Sequence, residues 1–95
     1  MQIEVTARHF KAPQELRDLI DKKVHKLDRY FDGVLNCRVV LSSDDGQEVV
    51  DIIAHSKKHM FTVRETGQRV DRVVARAVRK LKIQLKRHKD RLTDK

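Results

Sequence analysis

The spacing of the hydrophobic residues divides this chain into six segments, and their order limits the folds open to it. Residues 1–7 alternate between apolar and polar side chains, as a half-buried strand does. From Ala12-Pro13 to Asp32-Gly33 the apolar residues recur every three or four positions, which predicts a helix with one apolar stripe. That stripe comprises Leu16, Leu19, Ile20, Val24, Leu27, Tyr30 and Phe31.

Three further alternating segments predict strands over Leu35–Ser42, Glu48–His55 and Met60–Glu65. The turn-forming sequence Ser43-Asp44-Asp45-Gly46 separates the first two of them, and Ser56-Lys57-Lys58-His59 separates the last two. Both connections are short, so these three strands are expected to pair through hairpins.

After a break at Thr66-Gly67, a second helical stripe extends from about Gln68 to about Arg91. It comprises Val70, Val73, Val74, Ala77, Val78, Leu81, Leu85, His88 and Leu92. The predicted order is therefore β-α-β-β-β-α, an α+β fold in one domain over residues 1–95. Two helices would pack on one face of a four-stranded mixed sheet, the first two strands parallel. This is a two-layer sandwich like that of double-stranded-RNA-binding domains.

Composition narrows the class of protein. No apolar run approaches the roughly 20 residues that a membrane span needs, and the N-terminus has no signal-like apolar region. A single cysteine, Cys37, excludes an internal disulfide and is typical of a reducing compartment. We expect a soluble cytoplasmic protein that has no membrane partner.

The excess of positive over negative charge is confined to one part of the chain. Residues 1–68 hold 11 basic and 11 acidic residues, whereas residues 69–95 hold 11 basic and 3 acidic ones. The formal net charge of +8 therefore comes from the second helix, and a polyanion is the expected partner.

A helical wheel of the second helix sorts its basic residues into three groups. Arg72, Arg79 and Lys86 point away from the core. One flank carries a basic ridge, defined as Arg69, Arg76, Lys80 and Arg87, which would be about 27 Å long. The other side carries Lys82 and Lys89.

The first helix adds three basic residues on a shared face: Lys22, Lys26 and Arg29. Beside the second helix, they would line a cleft or a continuous patch with it. Alternatively, they pair within their own helix with nearby acids, namely Asp18, Asp21 and Asp28.

The nucleic acid best suited to this surface is structured RNA. The sequence has only four aromatic residues, and no strand carries the paired exposed aromatics of a single-strand stacking platform. Neither helix-turn-helix nor zinc-finger spacing occurs. We therefore expect contacts to phosphates, with selection by shape rather than by sequence.

The sequence offers little for catalysis or metal binding. Phosphate-binding glycine loops and nucleophile motifs are absent, so we predict neither an enzyme nor a cofactor nor a small-molecule substrate. His55 and His59 lie around a hairpin loop without a third ligand, and Cys37 lies on the inward face of a strand. A metal- or thiol-dependent stress protein using these three residues is the remaining alternative of this kind.

Two motifs resemble the short bacterial hibernation-promoting factors, relatives of the ribosome-associated inhibitors once described as sigma-54 modulation proteins. One is Leu27-Asp28-Arg29-Tyr30-Phe31-Asp32 at the end of the first helix. The other is Lys80-Leu81-x-x-Gln84-Leu85-x-x-His88-Lys89-Asp90-x-Leu92 near the end of the second. The resemblance extends over essentially the whole chain and implies the same β-α-β-β-β-α fold.

The resemblance also implies a partner and an activity. Such proteins bind small-subunit rRNA in the mRNA and tRNA channel, and they block translation in stationary phase or under stress. Short members favour paired, inactive ribosomes, usually with a second small modulation factor. The alternative function is a general binding module for double-stranded RNA that is not specific to ribosomes.

The start of the second helix departs from the family pattern. Family members often have an acidic residue followed by Met and Tyr there, whereas this chain has Arg69-Val70-Asp71. Any aromatic contact to rRNA at that position is therefore lost. Either binding there favours phosphates, or this chain is a divergent paralogue within the family.

Overall fold

The computed structural model describes residues 1–30 and 33–93, and the side chains up to residue 91. The described elements are β1 (Gln2–Ala7), α1 (Gln14–His25), a 3₁₀ turn (Lys26–Arg29), β2 (Val34–Asp44), β3 (Gln47–Ser56), β4 (Met60–Gly67) and α2 (Val70–Thr93). The predicted order β-α-β-β-β-α is confirmed.

The four strands form one mixed sheet in the order β1-β2-β3-β4. β1 and β2 are parallel, as predicted for strands joined by a helix, and the other neighbours are antiparallel. The β2–β3 hairpin turns at Asp45-Gly46, where φ is 53° and 78°. Two positive φ values are typical of the type I′ turn that joins two-residue hairpins, and Asp-Gly suits them.

Both helices lie against one face of the sheet and enclose a single hydrophobic core. From α1 the core takes Ile20 and Val24, and the 3₁₀ turn adds Leu27. The long helix α2 contributes Val73, Val74, Ala77, Leu81 and Leu85 from its described side chains. The strands contribute alternate residues, such as Val39, Ile52 and Val63. The fold is thus the predicted two-layer α+β sandwich.

The first helix ends earlier than its apolar stripe predicts. The regular α-helix stops at His25, and the backbone then tightens into the 3₁₀ turn, where the Tyr30 amide donates to the Leu27 carbonyl at 2.9 Å. Side chains after His25 therefore no longer follow the 100° spacing of an α-helix. The predicted positions of Phe31 and Asp32 lie outside the described residues.

The predicted strand break at Thr66-Gly67 is wrong. β4 continues to Gly67, which pairs with Glu48 of β3. Because β3 already begins at Gln47, it gives this end of β4 a partner for its backbone hydrogen bonds.

The outer face of the sheet also carries apolar side chains. Val40 and Val49 are buried there and lie outside the core that the helices enclose. Two ion pairs lie among these apolar residues: Glu4 with Arg38, and Asp51 with Arg64, each with a nitrogen–oxygen distance of 3.8 Å.

Candidate nucleic-acid interface

The basic residues of α2 lie on its solvent side because its opposite side is packed against the sheet. The buried positions 73, 74, 77, 81 and 85 fix the rotation of the helix. Arg72, Arg79 and Lys86 are consequently exposed on the outward side. Of the twelve predicted binding residues, eleven are exposed and Lys82 is partly buried. The structure therefore leaves the predicted set accessible to a partner.

The two layers of the molecule differ in charge. On the outer face of the sheet, Glu4 and Asp51 offset Arg38 and Arg64, so these four residues sum to zero. The segment that includes α2 carries the entire excess of +8. The helix layer is thus the side that a polyanion would approach.

The basic ridge is shorter than the helical wheel predicts. Arg69 precedes the first residue of α2, and its Nε lies 3.6 Å from Oδ1 of Asp71. Its backbone carbonyl accepts from the amides of Arg72 and Val73, as at the beginning of a helix. Only Arg76, Lys80 and Arg87 follow the helical period, over about 17 Å.

Two members of the ridge are tied to the sheet. The guanidinium of Arg76 lies 3.4 Å from Glu65 on β4 and donates from Nη2 to the Thr66 carbonyl at 2.6 Å. The ammonium of Lys80 donates to the other oxygen of the Glu65 carboxylate. The hydrogen bond from Lys80, supported by Arg76, holds the pKa of Glu65 below its ordinary value even though burial opposes this. Glu65 therefore fixes both cations and offsets part of their charge.

A cleft of about 190 Å³ lies between the helices, and its basic residues come from both. Lys26, the first residue of the 3₁₀ turn, lines it as predicted, and Lys82 on α2 lines it too. Lys82 is held there with its ammonium 4.6 Å from the centre of the Tyr30 ring, a cation–π contact. Lys23 is the third lysine, and no carboxylate lines the cleft.

Lys23 lines the cleft but was not among the predicted residues. It lies three residues after Ile20 and four before Leu27, so it belongs to the apolar stripe itself. That spacing was the available signal, because a lysine on a buried stripe must direct its ammonium to the rim of a groove. Lys22 and Arg29 are exposed but do not line the cleft.

The acidic residues of α1 are relevant to the alternative that Lys22, Lys26 and Arg29 pair within their own helix. Asp18 accepts a hydrogen bond from Gln14 at 2.8 Å, and Oδ2 of Asp21 lies 3.4 Å from Nδ1 of His25. These two carboxylates therefore have described partners other than the predicted lysines.

His55 and His59 lie around the β3–β4 loop as predicted, but one of them makes a contact that the sequence did not predict. His55 is exposed at the end of β3, whereas His59 stacks on His88 of α2 with ring centres 4.8 Å apart. No group of three or more His, Cys, Asp or Glu suited to a metal ion occurs among the residues that the structure describes. Cys37 is buried, and its burial raises the pKa of the thiol to about 12.

No helix in the described ranges is both long enough and apolar enough to cross a membrane.

Comparison with known proteins agrees with this architecture. A ribosome hibernation promoting factor of Acidithiobacillus ferridurans is 36% identical over 64 residues, which are 64% of this chain and 82% of that protein. The solved Thermus thermophilus Protein Y N-terminal domain has a TM-score of 0.84 and 31% identity, over 93% of this chain and 99% of that one. A ribosomal subunit interface protein from Coxiella burnetii shares the fold, with a TM-score of 0.88 and 21% identity over 94% and 98% of the two chains. Residues 3–93 match the profile of one family, so the chain belongs to the Sigma 54 modulation protein / S30EA ribosomal protein family.

Proposed function

We propose that this protein is a ribosome hibernation factor that binds small-subunit rRNA through its helix layer. Family membership and the names of the relatives support a ribosome-associated hibernation role. The observation that carries the rRNA proposal is the charge asymmetry: all the excess charge is in the helix layer, and the back of the sheet is neutral at its centre.

The proposed mechanism is steric. The basic residues of α2, with Lys23, Lys26 and Lys82 of the cleft, replace counterions at rRNA phosphates. Lys22, Arg29 and Lys89 extend this surface in the proposal. The bound domain occupies the channel used by mRNA and tRNA, and it blocks translation in the cytoplasm during stationary phase or stress. This inhibition involves no bond making or breaking.

Sedimentation with purified ribosomes at low and high salt tests the proposal. We expect about one copy to migrate with small subunits and whole ribosomes at low salt and to dissociate at high salt, because phosphate contacts weaken with salt. A new, heavier ribosome peak would indicate that the protein also pairs ribosomes. A second small modulation factor, supplied in the same experiment, tests whether pairing depends on it.

A matched pair of double variants shows which face binds. Arg72→Gln with Arg79→Gln removes two charges from the helix layer, and Arg38→Gln with Arg64→Gln removes the same two charges from the back. We expect the first double variant to lose ribosome association and the second to keep it, both with unchanged circular dichroism. Equal binding by the two would overturn the proposed surface. Equal affinity for free duplex RNA and for ribosomes would favour the general RNA-binding module.

A further inference from the structure

Three aromatic rings meet at the end of the molecule that holds the β3–β4 loop and the C-terminal part of α2. The rings of His59 and His88 are stacked, with an interplanar angle of 25°. The Phe61 ring packs edge-on against both, with centres 4.4 Å from that of His59 and 5.2 Å from that of His88. His59 is exposed and His88 is partly buried, so this cluster of three rings reaches the surface.

Polar groups surround the rings. An open pocket of about 210 Å³ is lined by the three rings together with Gln84, Arg87 and Arg91. Gln84 is oriented by a hydrogen bond from its Nε2 to the Thr62 carbonyl at 3.1 Å. The pocket therefore combines ring surfaces with two guanidinium groups and an amide, and no carboxylate lines it.

We propose that this pocket binds one unpaired nucleotide of an RNA strand, with its base against the histidine rings and its phosphate at Arg87 and Arg91. Histidine rings and arginine planes are surfaces on which proteins stack unpaired RNA bases. The volume is that of a site for a single base rather than for a duplex.

The ring geometry favours a base over a metal ion. A histidine binds a metal through a nitrogen lone pair in the plane of its ring. In a stacked pair the two ring planes are nearly parallel, so lone pairs of both rings do not converge on one point between them. The rings instead present faces, which are the surfaces that stacking uses.

The pocket is continuous with the surface already described, because Arg87 belongs to both. Lys80 and Arg87 are seven residues apart on α2, about 10 Å along its axis. A strand whose backbone follows the ridge would therefore reach the ring cluster. The inference rests on the proposed RNA-binding function and adds to it a contact with a base.

His59 is the residue to change because its side chain does not hold the loop together. The loop is closed by the backbone of His59, whose amide donates to Ser56 Oγ at 3.1 Å and whose carbonyl accepts from the Ser56 amide at 2.8 Å. His59→Ala keeps both hydrogen bonds. His59→Phe restores a ring, and His55→Ala removes an exposed histidine outside the pocket.

The experiment measures binding of a fluorescein-labelled adenosine hexanucleotide, and of the same chain with abasic sugars, by fluorescence anisotropy at 50 mM salt. We expect His59→Ala to bind the hexanucleotide about five- to tenfold more weakly, near the lower end of what one base–ring stack contributes. His59→Phe and His55→Ala should bind like the unmodified protein. The unmodified protein should bind the abasic chain more weakly than the hexanucleotide. For His59→Ala, the difference in affinity between the two chains should be much smaller.

Three results would overturn the proposal: no binding of the hexanucleotide, equal binding by His59→Ala and His55→Ala, or an equal effect of base removal in both proteins. Since the measurement uses free oligonucleotides, it is independent of ribosome sedimentation. Ribosome association without hexanucleotide binding would overturn the nucleotide pocket alone. Hexanucleotide binding without ribosome association would overturn the proposed function alone.

Discussion

The carboxylate of Glu65 on β4 accepts a hydrogen bond from the ammonium of Lys80 on α2, fifteen residues later in the chain. Glu65 also contacts Arg76, and its side chain is only 15% exposed. This arrangement joins the edge strand to the long helix and orients two members of the basic ridge. The stability of the protein should therefore depend in part on this one carboxyl group.

The pKa of Glu65 predicts a pH-dependent stability. The pKa is lower in the folded protein than the ordinary 4.5, so the unfolded chain binds more protons in the acid range. The stabilisation is therefore complete above about pH 4.5 and is lost as the pH falls through the folded-state pKa. We expect Glu65→Gln to lower the free energy of unfolding by about 1 kcal/mol or less at pH 6, and by less at pH 3.

Urea unfolding at the two pH values measures this difference. Glu4→Gln is the control, because Glu4 forms a more exposed ion pair with Arg38 on the outer face and should change stability less. An effect of Glu65→Gln that is the same at both pH values would contradict the assignment.

Neighbouring lysines on α1 should differ in their contribution to binding. Lys23 lines the cleft between the helices, whereas Lys22 does not. We expect Lys23→Gln to reduce the slope of log K against log salt by about 0.7–0.9, the loss of one phosphate contact, and Lys22→Gln to change it less. Titration of duplex RNA or ribosomes over a series of salt concentrations measures both slopes. A larger effect at Lys22 would exclude the cleft as a phosphate site.

The complete interface should show the salt dependence of a multi-phosphate contact. If about six phosphates are neutralised, log K should fall with log salt with a slope of about −4 to −5. Filter binding of labelled small subunits between 50 and 300 mM salt provides the measurement. A slope near zero would mean that the basic residues do not contact phosphates.

The thiol of Cys37 should be unreactive until the protein unfolds. With a pKa of about 12, only about one thiol in ten thousand is ionised at pH 8, and the side chain is buried as well. We expect Ellman's reagent to modify the native protein only at its unfolding rate and the urea-unfolded protein at once. Rapid modification of the native protein would favour the alternative that this is a thiol-dependent stress protein.

The fold was predictable because the spacing of apolar residues in each segment reflects which of its side chains are buried between the helices and the sheet. The alternation of Cys37, Val39 and Leu41 and the Asp45-Gly46 turn determine strands and a hairpin locally. The end of α1 was not predictable in this way, because the apolar stripe continues to Leu27 and Tyr30 while the backbone changes to a 3₁₀ turn.

The site was only partly predictable because several of its contacts join distant parts of the chain. A helical wheel correctly predicts that Arg72 and Arg79 are exposed, but it contains no information on Glu65, which lies on another element. The stacking of His59 on His88 joins residues 29 positions apart and depends on how α2 crosses the sheet. Such contacts follow from tertiary packing, which a single-sequence pattern does not encode.

The excess positive charge of the helix layer lies on one side of the molecule, whose short dimensions are 22 and 19 Å, and this asymmetry gives the molecule an electric dipole between its layers. In the field of a polyanion this dipole produces a torque, so the domain should already face the partner with its helices when the two first touch. A larger fraction of encounters then begins in the orientation that can bind, and low salt should raise the association rate constant. Two copies of the protein, in contrast, should repel each other helix layer to helix layer.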